Sequence, residues 1–175
     1  MHDATALEEL VHGIHAVVAE PARVAEVLQR HLGDPALLAP EHRSSSPDRY
    51  RTNVVHVAPD GSFSLVALVW RPGQRTSIHS HRSWCVVGLH EGVEEERTFR
   101  LGEHDGAAAL ILEDVRRYEP GAVTWLSAED EVHDVTNAGS STAISLHVYG
   151  LDYRRDGSSI LATFDLPILE PAWVG

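Results

Sequence analysis

Apolar residues near the start of the chain recur at helical spacing. Leu7, Leu10, Val11 and Ile14, continued by Val17 and Val18, form one stripe, and after Pro21 the residues Val24, Val27, Leu28 and Leu32 form a second. Two amphipathic helices are predicted over residues 5 to 33. From about residue 50 onward the texture changes to short runs rich in Val, Leu, Ile, Trp and Thr: "NVVHV", "FSLVALVW", "WCVVGL", "AALILEDVRRY", "AVTWL" and "TAISLHVY". Turn signals separate them: "APDG", "RPGQ", "HEG", "EPG" and "NAGSS". Regular short strands broken by Gly and Pro predict a mainly β protein, a sandwich or barrel, and not βαβ units. The stretch "HRSSSPD", residues 42–48, is the expected linker. It divides a helical segment, 1–47, packed on the barrel from a β domain, 48–175, within a single structural domain. There is no internal repeat or low-complexity tract.

Composition narrows the function classes. A chain of 175 residues supports one hydrophobic core. A net charge of −12 argues against nucleic acid and anionic membrane partners, which need clustered positive charge. No run approaches the ~20 apolar residues of a membrane span. The opening "MHDATALEEL" has neither a basic nor an apolar leader region, so a cytoplasmic location is expected, as a monomer or small homo-oligomer. All 14 basic residues are arginine, which excludes Schiff-base and P-loop chemistry through a lysine. The single cysteine, Cys85, forms no internal disulfide. It is a buried small hydrophobe, a reactive thiol, or part of a site.

Twelve histidines are distributed along the chain, and three are placed to do chemistry. His79 and His81, in H-x-H on a predicted strand, project from the same side because side chains alternate with period two. His133, in "EDEVHDVTN", precedes a later strand run that could bring a third imidazole to the same point. Neutral imidazoles suit Fe, Zn, Cu or Ni, and three protein ligands leave positions open for substrate or oxygen. His12 and His15, three apart on a helix, have no further ligand nearby and are expected to be a surface pair.

The spacing G73-x5-H79-x-H81-x3-C85-x6-G92 resembles the first motif of the cupin superfamily, with Cys85 where most cupins place a metal-binding glutamate. The run from His133 to Asn137 resembles the end of the second motif. Gly121 is present before it, but Ser127 and Glu129 replace the usual proline and glycine, and the spacing is one residue long. Cysteine at that position, together with "SLHVY", resembles the cysteine dioxygenase family of thiol dioxygenases, over roughly residues 48 to 168. The resemblance implies a double-stranded β-helix, or jelly-roll barrel, with Fe(II) held by His79, His81 and His133. It implies a reaction that takes a small-molecule thiol and O2 to the sulfinic acid. Ser145, His147 and Tyr149 are the family's S-x-H-x-Y set, expected on one face of a strand, in hydrogen-bond sequence toward the metal. Cys85 and Tyr149 are the pair that some members join by a thioether; an inert buried thiol is the alternative. Tyr50, Thr52, Arg82 and Trp84 are the candidate substrate contacts, and Trp84 is also expected to pack in the core.

Loss of the glutamate leaves a neutral ligand set, so bound Fe(II) keeps its full charge and favours an incoming thiolate. The resemblance also places Thr52, in "RYRTN", where cysteine-specific relatives carry a carboxylate-binding arginine. Relatives acting on 3-mercaptopropionate usually have glutamine there and a further arginine after "GSSI", where this chain has Leu161 and Ala162. Threonine cannot replace a bidentate guanidinium. A thiol other than cysteine is expected, with ergothioneine and 3-mercaptopropionate among the candidates. Arg51, Arg75, Arg82 or Arg154 could approach the pocket from another direction. Two rival readings remain open: another metal cupin, carbon-oxidising or isomerising, and a non-catalytic metal- or ligand-binding sensor.

Overall fold

The computed structural model describes residues 5–127 and 131–171, so Glu129 of the second motif lies outside the described residues. Helix α1 (Ala6–Val17) opens on a capping box in which Thr5 accepts from the Glu8 backbone and the Glu8 carboxylate accepts from the Thr5 backbone. Helix α2 (Pro21–Gln29) has proline in its first turn, where no amide hydrogen is needed. Pro21 therefore starts the second helix as well as separating it from the first.

The strands are β1 (Arg51–Val57), β2 (Ser64–Trp70), β3 (Ile78–His81), β4 (Cys85–Glu91), β5 (Glu94–His104), β6 (Ala107–Tyr118), β7 (Val123–Leu126), β8 (Val132–Asn137), β9 (Ala143–Tyr149), β10 (Ile160–Phe164) and β11 (Ile168–Leu169), with a short helix α3 (Tyr153–Asp156) between β9 and β10. They form two sheets, ordered β1-β2-β9-β4-β7 and β10-β3-β8-β5-β6-β11. Chain neighbours such as β3 and β4 lie in different sheets, so the chain winds between two facing layers as a double-stranded β-helix.

The helices cover the outer face of the first sheet. Leu10, Ile14, Val24 and Leu28 pack with Leu65, Ala67 and Val69 of β2 and with Leu146 and Val148 of β9. The alternate residues Val66, Leu68, Trp70, Cys85 and Tyr149 face the interior, where Val135 of β8 meets them. Every residue of β2 and β9 is buried as a result. Burial on both faces is why "SLVALVW" reads as an unbroken apolar run with no alternation. Gly92 turns the chain between β4 and β5 at φ +83°, where an added Cβ would fall 2.6 Å from the Cα of Ala143.

The segment that joins the helices to β1 is docked on the sheet: residues Pro40–Arg43 form a 3-10 turn, and the Asn53 amide donates to the Ser44 carbonyl at 3.1 Å. Strand β5 lies outside the predicted strand runs and begins in the charged stretch "EEER". It pairs with both β6 and β8, and Glu94 and Glu96 are buried.

Candidate metal centre

His79 on β3 and His133 on β8 are directly opposed in the sheet register, and His81 lies two residues further along β3 on the same face. All three are buried, and one nitrogen from each lies within 4.8 Å of the others. Among the described residues this is the one such group of metal-ligating side chains, and His15 instead meets Asp60 at the surface.

The ring orientations are fixed by partners on the far side. His79 donates Nδ1–H to the Ser77 carbonyl at 2.9 Å, which leaves Nε2 as a lone-pair donor. His133 Nδ1 lies 2.6 Å from Glu96 Oε1, and the other Glu96 oxygen accepts from the Tyr118 hydroxyl at 2.7 Å. Such a carboxylate behind an imidazole sets its tautomer and raises its basicity toward a metal. Nε2 of His133 and Nε2 of His81 are 3.0 Å apart. Burial first, and then His133, lower the pKa of His79 to about 4; burial, His133 and His79 lower that of His81 to about 2. Both rings are therefore neutral near pH 7, the form in which imidazole coordinates. Three imidazole nitrogens converging in a buried cavity fit a divalent transition ion such as Fe(II) or Zn(II).

Ser145, His147 and Tyr149 face these histidines from the other sheet, at alternate positions on β9. Trp70 on β2 donates Nε1–H to Ser145 Oγ at 3.1 Å. The Ser145 hydroxyl proton is then available to His147 Nε2 at 2.9 Å, and His147 Nδ1–H to Tyr149 Oη at 3.1 Å. Burial lowers the pKa of His147 to about 3 and raises that of Tyr149, so the imidazole stays neutral and the phenol keeps its proton. With its oxygen already accepting, the Tyr149 hydroxyl is free to donate into the cavity, which His81 flanks with ring centroids 5.8 Å apart. Cys85 is fully buried, in register with Tyr149, with Sγ 3.9 Å from His147 Nδ1; burial and the charge of Glu96 hold its thiol above the usual range.

A cavity of about 60 Å³ lies between the two groups, and Tyr50, Thr52, Ser159 and Ile160 line it with them. A sequence profile described as "Cysteine dioxygenase type I" matches residues 4–155. The chain belongs to the cysteine dioxygenase type I family. It is 28% identical over 145 residues to cysteine dioxygenase type 1 of Rattus norvegicus, covering 82% of this chain and 70% of that protein. The Homo sapiens protein of the same name is 26% identical over 149 residues, covering 82% and 73%. Among solved structures, a conserved Klebsiella pneumoniae protein with a double-stranded β-helix domain superposes with a TM-score of 0.47 at 19% identity, covering 64% of this chain and 85% of that one.

Tyr50 and Thr52 of this chain reach the cavity, but two other predicted substrate contacts do not line it. Arg82 is exposed and donates twice to the Ile160 carbonyl, at 3.2 and 3.0 Å. Trp84 packs toward the helix-covered cluster, above Gly150, where a Cβ would run into the indole. Leu161 and Ala162 are exposed; the preceding residues of the segment, Ser158 to Ile160, supply its cavity wall. Arg154 is engaged by Asp152 and the Ala58 carbonyl. Sequence reasoning missed Glu96 behind His133 and Trp70 at the head of the serine–histidine–tyrosine series. Neither carried a local signal: Glu96 sits in a charged run, and Trp70 ends a continuous apolar one.

Proposed function

We propose that this chain is a mononuclear Fe(II) thiol dioxygenase that converts a small-molecule thiol and O2 to the sulfinic acid, and that cysteine is not its preferred substrate. The observation that carries the reading is the opposition of a three-imidazole cluster to a Ser145–His147–Tyr149 series across one small cavity. His79, His81 and His133 would hold the metal. The chemistry Fe(II) supplies in such a site is a lowered thiol pKa and the proximity of sulfur and dioxygen.

The protein's own part is orientation and proton placement. Glu96 and the Ser77 carbonyl fix the ligating rings. Trp70 and Ser145 fix the His147 tautomer, and His147 aims the Tyr149 proton at the cavity, where it hydrogen-bonds oxygen or the substrate's polar group. Cys85, opposite Tyr149, is the partner for a thioether. The preference for another thiol rests on the cavity wall, which carries Thr52 and contains no arginine among its lining residues. A carboxylate held there would lack the bidentate cation that neutralises it.

The test is anaerobic loading with Fe(II), followed by oxygen uptake and product mass against cysteine, cysteamine, 3-mercaptopropionate, mercaptosuccinate and ergothioneine. One thiol should gain two oxygen atoms per molecule with matching oxygen consumption, and cysteine should be a poor substrate. Stoichiometric iron without uptake for any thiol would overturn the reading.

A further inference from the structure

Most arginines of this chain are spent on neighbours: Arg43 on Glu91, Arg97 on Asp134, Arg100 on Glu113, Arg116 on Asp114 and Arg155 on Asp156. Arg49, Arg51 and Arg75 are different. All three are exposed, and among the described residues none has a side-chain hydrogen bond or ion pair. They come from separate places, the approach to β1, its first residue and the loop before β3, yet they line one cavity of about 690 Å³. No carboxylate is among the residues of its wall, on a chain whose net charge is −12. Unbalanced positive charge gathered at one concavity of an acidic protein marks where an anion is drawn in.

This vestibule shares Tyr50, Thr52 and Tyr153 with the metal cavity, so the two spaces adjoin along a common wall. The inner space has room for a thiol head and little more. At about 60 Å³ it is well below the ~300 Å³ or more of pockets that enclose a whole organic ligand. Anything longer must extend into the vestibule, and what waits there is guanidinium, the group suited to paired contacts with carboxylate or phosphate oxygens.

We propose that the substrate is an extended thiol whose tail carries two or more negative charges, with its sulfur in the inner cavity and its tail among Arg49, Arg51 and Arg75. The assignment rests on the thiol dioxygenase reading for the sulfur end and on the vestibule alone for the tail. It also accounts for an inner wall without arginine: the anion is held further out.

Two measurements separate these supports. In the first, calorimetric titration of the whole protein at low salt compares mercaptosuccinate, thiol-free succinate, phosphopantetheine and cysteamine. The dianions should bind in a salt-sensitive manner. The triple variant Arg49→Ala/Arg51→Ala/Arg75→Ala should weaken them ~10-fold, since each exposed ion pair is worth a few-fold at most. Arg117→Ala, an exposed arginine away from both cavities, should change nothing. Tighter binding of succinate or of phosphopantetheine tells a dicarboxylate tail from a phosphate one. In the second, steady-state oxidation should show the triple variant raising KM for the dianionic thiol ~10-fold more than for cysteamine. Arginine-dependent dianion binding without oxidation of any thiol upholds the vestibule and removes the dioxygenase reading. Thiol oxidation with KM indifferent to the three arginines, or cysteamine preferred over every dianion, overturns the vestibule and leaves the dioxygenase reading standing.

Discussion

Cys85 and Tyr149 sit directly opposite each other in the β4–β9 register, both buried, with His147 Nδ1 within reach of each. Opposed residues of an antiparallel pair hold their Cβ atoms about 5 Å apart, so sulfur and the phenol ring meet without backbone movement. Aerobic incubation with Fe(II) and a thiol substrate should yield a species lighter by two hydrogen atoms, traced by peptide mapping to a Cys85–Tyr149 link. The species should be absent from Cys85→Ser. An unchanged mass after many turnovers would leave Cys85 as a packing residue.

Glu96 touches His133 and no other member of the imidazole cluster. Burial alone would raise its pKa, but hydrogen bonding and charge from His133, with Tyr118 adding to them, bring it below the ordinary value. It is therefore an anion that supports the ligating ring. Glu96→Gln should weaken metal binding ~10- to 100-fold, read as iron retained after dialysis against a graded chelator. His133→Ala should abolish retention.

The series from Trp70 to Tyr149 makes a prediction that separates proton placement from metal binding. Tyr149→Phe should keep full iron content and lower kcat by ~100-fold, the lower end of the range for a positioned acid. His147→Asn should show a smaller loss with iron content intact. A Tyr149→Phe enzyme that fails to hold iron would place the phenol in the ligand set.

Glu94 has a pH signature of its own. Burial pushes its pKa from 4.5 up to about 8, the charge of Glu96 pushes further up, and its Oε1 has no hydrogen-bond partner among the described residues. The folded state then keeps a proton that the unfolded chain releases. Glu94's contribution to stability is fully present below pH 4.5 and declines as pH rises toward 8. Glu94→Gln removes the decline. Denaturant unfolding should find the variant more stable than the parent at a pH of about 9, by on the order of a few kcal/mol, and little changed at a pH of about 5.

The amphipathic helices and most strands were legible because their apolar periods differ, and H-x-H followed by cysteine carried the site into a single family. S-x-H-x-Y was legible for the same reason that β9 is a strand: alternation sends Ser145, His147 and Tyr149 inward while Ile144, Leu146 and Val148 meet the helices. What escaped was whatever depended on the opposite sheet. Glu94 and Glu96 sit in a charged run, and only pairing on both sides of β5 reveals that they are buried. The placement of Arg82 and Trp84 away from the cavity follows from the turn between β3 and β4, whose direction no local pattern encodes. Arg49, Arg51 and Arg75 meet by tertiary folding alone.

Trp70 joins two features already described. Its indole nitrogen is tied to Ser145, and its face stacks on Tyr50 with ring centroids 4.4 Å apart, on the cavity wall. No other tryptophan among the described residues lines that cavity. The protein thus carries an optical reporter: the emission of Trp70 registers both the hydrogen bond behind it and any molecule that displaces Tyr50 in front. Occupancy of the site can be followed by intrinsic fluorescence, with no label and no turnover.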